Sequence, residues 1–169
     1  VYCLKHEYSS LIPDRRDELE LLAKDAWLVE EFLLRVANKY QDILQSNLFS
    51  KKETKLALHT HCHQQAERPA DDGLPTGTAA TAALLRMFGF EVEVIDAGCC
   101  GMAGTFGYDA EHYDLSMQVG ELGVLPKVRK ATAENRKVLS TGSACRLQFS
   151  HGAKTTSEHP LVLLARVIN

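Results

Sequence analysis

The stretch Glu91-Val92-Glu93-Val94-Ile95-Asp96-Ala97-Gly98-Cys99-Cys100-Gly101-Met102-Ala103-Gly104 changes character halfway along. Its first six residues, with valines alternating against acids and Ile95 before Asp96, read as a strand. Beyond Asp96 comes a glycine-punctuated loop with two adjacent cysteines. A strand feeding directly into such a loop is how an α/β sheet presents its carboxyl edge, so the flanking segments decide the class of fold.

Upstream, Thr76 to Phe88 is rich in Ala and Leu and closes at Gly89, which predicts a helix with a glycine C-cap. A turn-rich loop from Pro69 to Pro75 precedes it. Lys55-Leu56-Ala57-Leu58-His59-Thr60-His61-Cys62 reads as an earlier strand ending at its cysteine, set off by the polar break Lys51-Lys52-Glu53-Thr54. Farther back, Leu28, Phe32, Val36, Tyr40 and Leu44 recur every four residues and predict one long amphipathic helix with that stripe against the core. A charged helix over Arg15 to Asp25 and a short apolar strand at Val1 to Glu7 open the chain.

Downstream, a helix is expected from about Ala110 to Leu122 and a strand at Lys137 to Thr141. A helical turn from Ser143, a further strand at Ala153 to Thr156 and a short helix after Pro160 complete the reading. Strands alternating with helices mean an α/β fold, an open and mainly parallel sheet of about four or five strands with helices on both faces. The strand–loop–helix unit recurs, which leaves open two pseudo-repeated halves.

Bulk properties narrow the class. The 169 residues suffice for one sizeable core, and 45% hydrophobic with 24% charged residues is the mix of a folded globular chain. One domain over 1–169 is expected, with 1–50 supplying a strand and long helices and 55–169 carrying the site. A net charge of −3, from 19 basic against 22 acidic residues without a block of one sign, argues against nucleic acid as a partner. No apolar run approaches the ~20 residues of a bilayer span, and no signal pattern opens the chain, so a cytoplasmic location is expected, or one peripheral to the inner face of a membrane. The start at Val1, inside an expected strand, suggests a piece of a longer polypeptide.

The five cysteines carry the chemistry. An odd number without a secretion signal speaks for metal or thiol chemistry over a disulfide framework. Cys62, Cys99, Cys100 and Cys145 each fall just beyond the carboxyl end of an expected strand, the edge where α/β sheets form binding crevices. Neighbours such as Cys99 and Cys100 rarely bridge each other, and shared ligation explains the pair better. Gly98, Gly101 and Gly104 would let the backbone come close to such a group. Buried free thiols packing as small hydrophobes are the plain alternative, but a CCG run among glycines is poor core material. Cys3 lies within the expected first strand and reads as packing.

Around the thiols, His59, His61 and His63 alternate and would share one face if the strand persisted. His63 is placed to turn inward and replace a thiolate, His61 to hydrogen-bond behind the ligands, and His59 to be a satisfied or exposed histidine. Arg146 would offset thiolate charge or hold an anionic group, or form an ordinary salt bridge. Gln148 and Ser143 would donate nearby. No P-loop, nucleophile elbow or dinucleotide fingerprint is present, and the chain shows no flavin site of its own.

Three motifs, His61-Cys62-His63-Gln64, the run Ile95 to Tyr108 around Cys99-Cys100-Gly101, and Cys145-Arg146-Leu147-Gln148, carry a resemblance. The chain resembles the cysteine-rich CCG domain found in heterodisulfide reductase and in the iron–sulfur subunits of glycolate oxidase and anaerobic glycerol-3-phosphate dehydrogenase. It is most similar to the tail of large FAD-linked oxidases of the D-lactate and D-2-hydroxyglutarate dehydrogenase type. The likeness covers Leu56 to the C-terminus well and Val1 to Ser50 loosely. It implies that Cys62, Cys99, Cys100 and Cys145 hold an iron–sulfur cluster of the 4Fe-4S type, with zinc as the alternative, and that Gly98, Gly101, His61, His63, Arg146 and Gln148 surround it. It further implies FAD and ferredoxin-like domains upstream, and a quinone or another carrier as electron acceptor. The family pattern ends in a CxxC pair whose first cysteine is Gly142 here. Electron relay from a 2-hydroxy-acid oxidation, a structural zinc, and a dithiol–disulfide module are the functions to separate.

Overall fold

The computed structural model describes residues 1–40 and 54–168. Helices α1 (Tyr2–His6), α2 (Tyr8–Leu11), α3 (Arg16–Lys24) and α4 (Val29–Lys39) open the chain. Strand β1 (Lys55–His59) is followed by α5 (Cys62–Gln65) and α6 (Gly77–Met87), and β2 (Glu91–Val94) by α7 (Tyr113–Glu121) and α8 (Val124–Ala133). Strand β3 (Lys137–Ser140), α9 (Ser143–Gly152) and α10 (Pro160–Ile168) complete it.

The three strands form one parallel sheet in the order β2-β1-β3. Lys55 to Leu58 stand opposite Glu91 to Val94, and Leu56 to His59 opposite Lys137 to Ser140. The α/β class and the parallel sheet are therefore as expected, with helices on both faces. Leu56, Leu58 and Leu139 pack against Leu34 of α4, Leu84 and Leu85 of α6 and Leu163 and Leu164 of α10. On the opposite face Ala57 and Val138 pack against Val124, Leu125 and Val128 of α8 and Phe149 of α9. Because β1 is covered on both sides, its central residues Leu56, Ala57 and Leu58 are apolar without alternation, as in central parallel strands. The chain runs from β1 out to β2 and then crosses back past β1 to β3, so strand order reverses at the carboxyl ends of β1 and β3, where the loops part.

Local capping follows the sequence. Gly89 takes a φ of +80° after α6, its N–H bonding the Arg86 carbonyl at 2.9 Å while the Phe90 N–H reaches Leu85 at 3.3 Å. That is the two-bond stop predicted from the glycine.

Several expectations are corrected. Val1 to Glu7 forms helix α1, where strand was expected. The run has no alternation of apolar and polar residues, Tyr2 and His6 meet edge-to-face at the helical spacing of four, and Lys5 and His6 are held by Glu67 at 2.7 and 2.8 Å. Ala153 to Thr156 is a turn, with Lys154 at a φ of +52°, and the chain meets the sheet only at Glu158, which accepts from the Ser140 N–H at 2.9 Å. The described sheet thus has three strands where four or five were expected. In α4 the buried residues are Glu30, Glu31, Leu34 and Ala37, while Phe32 is 55% exposed. A repeat of strictly four residues drifts around a helix of 3.6 residues per turn, so the stripe from Leu28 to Tyr40 could not remain on one face. Leu44 of that stripe lies outside the described residues. Among the described residues no helix is long and apolar enough to cross a membrane.

Candidate cysteine-lined site

The loops at the reversal point enclose a cavity of about 370 Å³ lined by Cys62, Cys99, Cys100 and Cys145, together with His59, His61, His63, Ala103, Gly104 and residues 141–144. Each thiol arrives by a different local device. After β1, His61 caps α5, its Nδ1 accepting from the Gln64 N–H at 3.3 Å, so the chain turns and Cys62 and His63 leave the strand's alternation. Buried Gln64 pins that turn by donating to Thr81 Oγ1 at 2.8 Å and to the Gly77 carbonyl at 3.3 Å. After β3, Gly142 caps α9 and Cys145 stands third in that helix, which brings its thiol to the cavity wall.

The CCG loop turns on Gly101, at a φ of +92°. A Cβ there would collide with the Ser116 carbonyl on α7, so the glycine is required by packing on the helix behind the loop. Its N–H donates to Cys99 Sγ at 3.3 Å. Gly104 also adopts a positive φ of +68°, whereas Gly98 has open space where a Cβ would stand. Close backbone approach is thus a property of Gly101 and not of Gly98.

Cys62 and Cys99 are exposed, and Cys100 and Cys145 are buried. The Cys145 thiol donates toward Cys100, and this bond, helped by backbone amides at Met102 and Cys100, holds the Cys100 thiol well below its ordinary range. Cys145 is pushed up for the complementary reason, with burial and the nearby Cys62 adding to the effect. One proton is thus kept on Cys145 while Cys100 is readily a thiolate, the form that ligates metals.

Other expected residues divide. His61 and His63 line the cavity, His61 half-buried with its proton affinity lowered by burial and by His63, and His63 exposed and stacked on Tyr2 at 5.3 Å. Arg146 turns away, donating to the Ser140 carbonyl at 2.8 Å. Gln148 is fully buried behind the loop, donating to the Ser116 carbonyl at 2.9 Å and to Ser116 Oγ at 3.2 Å. Both brace the site from outside the cavity wall. Cys3 borders a separate pocket with Tyr2, His61 and His63.

His59, expected to be satisfied or exposed, is neither. It is 1% exposed, lines the cavity, and neither ring nitrogen has a hydrogen-bond partner. Burial pushes its pKa down to about 4, with the Gly98 backbone opposing and the His61 charge adding to the fall. The sequence signal was present: a polar residue closing an otherwise apolar central strand.

Among the described residues no three or more His, Cys, Asp or Glu side chains close into an ion-sized ligand group. The thiols stand around the walls of a cavity instead. Four soft donors around one chamber suit a thiophilic group, and a four-cysteine set is one that zinc and iron–sulfur clusters both accept.

The chain is 26% identical to D-2-hydroxyglutarate dehydrogenase of Pantoea ananatis and 27% identical to that of Escherichia coli K12, in each case over 168 residues, 99% of this chain. Its relatives are dehydrogenases. One subunit of the anaerobic glycerol-3-phosphate dehydrogenase of Escherichia coli K12 is 31% identical over 116 residues, 68% of this chain and 26% of that protein. The chain spans about 15% of the length of the D-2-hydroxyglutarate dehydrogenases it matches. No family model matches it, and no solved structure matches it significantly.

Proposed function

We propose that this chain is the electron-transfer domain of a FAD-linked 2-hydroxy-acid dehydrogenase, with an iron–sulfur cluster of the 4Fe-4S type held by Cys62, Cys99, Cys100 and Cys145. The observation that carries this reading is the convergence of four thiols from three strand ends on one cavity. Similarity to dehydrogenases over 99% of the chain supports the oxidoreductase setting. The cluster would supply one-electron storage. The protein's part is to fix four thiolates, lower the proton affinity of Cys100 before ligation, and keep Cys100 and Cys145 away from water while Cys62 and Cys99 stay near the surface.

In this role the substrate is oxidised at a flavin elsewhere in the enzyme, and electrons pass through the cysteine site to a quinone or another carrier. FAD and ferredoxin-like domains are the partners this requires, in the same polypeptide or complex. Arg146 and Gln148 serve by bracing β3 and the CCG loop.

A structural zinc is the second reading, favoured by His61 and His63 on the same cavity wall. Iron, sulfide and zinc measured in anaerobically purified protein separate the two. Iron with sulfide in the wild type, absent from a Cys99→Ser, Cys100→Ser double variant, is the expected result. Zinc alone would establish the structural reading, and no metal in the wild type would overturn both.

A further inference from the structure

We propose that His59 donates a hydrogen bond to a sulfur of the group held in the cysteine cavity, and so acts as a positioning residue that sets that group's reduction potential. The proposal rests on the cluster reading above and extends it to a residue outside the thiolate set.

His59 is the last residue of the central strand, opposite Ser140 in the register with β3. Leu56, Ala57 and Leu58 before it are fully buried and apolar. A leucine or phenylalanine at 59 would continue the strand at no polar cost, whereas a buried imidazole with neither nitrogen paired forfeits roughly 1–3 kcal/mol. Such a group in a folded protein calls for a partner. The Phe149 ring lies edge-on to it at 5.4 Å and 79°, which fixes the imidazole plane and offers no acceptor. The Gly98 backbone acts on the ring without completing a hydrogen bond, and His59 shares the cavity with His61, His63, Thr141, Ser143 and the thiols of Cys62, Cys99, Cys100 and Cys145, of which the thiols are the groups that would carry a bound sulfur-containing partner.

A neutral imidazole carries one N–H donor and no charge, and burial keeps His59 neutral. Four thiolates already complete the ligation of a four-iron cluster, so the unused N–H is a donor to sulfur and not a fifth ligand. A donor to a cluster sulfur favours the more negative, reduced state. Its loss therefore lowers the midpoint potential without releasing iron.

The test uses the chain reconstituted anaerobically with ferrous iron and sulfide, and titrated with dithionite while the reduced cluster is followed by electron paramagnetic resonance. His59→Phe is expected to bind iron and sulfide as the wild type does, with a midpoint shifted to lower potential. His59→Gln, which keeps an N–H, is expected to recover part of that shift. An unchanged midpoint in both variants overturns the proposal, and loss of iron from both with far-ultraviolet dichroism intact overturns it in favour of a ligand role. Should His59→Phe fail to fold, pulsed resonance on wild-type protein labelled with ¹⁵N-histidine decides. A weak nitrogen coupling supports the hydrogen bond; a ligand-sized coupling or none refutes it. A wild type that takes up neither iron nor sulfide overturns the cluster reading itself, an outcome distinct from failure of His59 alone.

Discussion

Around the amino ends of the three strands Arg136 reaches Glu91 at 2.8 Å and Glu93 at 2.9 Å, and Lys137 pairs with Glu158. At the carboxyl ends of the same strands stand two buried thiols, two exposed thiols and a buried histidine without a partner. The first end is closed: opposite charges are matched and face water, as suits an edge strand that must not pair with another chain. The second end leaves soft donors and an orphaned imidazole around a cavity. A sheet stabilised only for its own sake would have no reason to build its two ends so differently. The contrast sets the candidate site at one end of the sheet and matched surface charge at the other.

The largest effect that would sharpen this contrast is on cofactor retention. Cys145→Ser is expected to abolish iron and sulfide incorporation while changing the urea-unfolding free energy of the apoprotein by no more than about 1 kcal/mol, since it exchanges one small buried group for another. A variant that keeps its full iron content would break the division between the ends. Next comes pH. His59 has a pKa near 4 in the fold against about 6.5 when unfolded, so the unfolded chain binds its proton first. Stability intact above pH 6.5 is then lost as pH falls toward 4, by on the order of 3 kcal/mol. Urea midpoints of apoprotein across that window should fall steeply for the wild type and less steeply for His59→Gln.

A third expectation concerns the loop between the ends. Gly101→Ala places a Cβ against the Ser116 carbonyl at a φ of +92°, and should cost about 2 kcal/mol by urea unfolding while also lowering cluster occupancy. Gly98→Ala, with open space around it, should change neither. Equal effects at the two glycines would mean that the loop is not braced by α7.

Much of this was legible from sequence because parallel strands and their exits leave strong local marks. Leu56 to Leu58 is apolar throughout, Gly89 stops a helix, and the four cysteines follow strands in register with one another. The parts that were not legible depend on partners distant in the chain. Tyr2–His6 is short enough to be either helix or strand until Glu67 is known to hold Lys5 and His6. The burial of Glu30 and Glu31 could not be seen before His159 and the Gly77 N–H were placed beside them. Gln148 looked like a ligand-facing donor because nothing local reveals that α7 lies behind it. His59 was misjudged although its place at the end of the apolar run Leu56 to Leu58 was visible, because nothing local tells whether its ring nitrogens find partners.

The smallest effect tests the closed end. Arg136 is shared among Glu91, Glu93 and Glu134, whose carboxylates are about half exposed, so water and salt screen the attraction. Arg136→Ala should lower Tm by a few degrees at most at low ionic strength, less at high salt, and leave iron and sulfide content unchanged. What the variant does remove is the matching of charge on the β2 edge, where Glu91 and Glu93 would be left without the guanidinium that now bridges them. Like charges held two residues apart on one strand lie on the same face and repel, so the residual destabilisation should vanish in Arg136→Ala, Glu93→Gln. If Arg136→Ala instead emptied the cysteine site, the two ends would be coupled through the strands, and the separation of matched surface charge from the candidate site would fail.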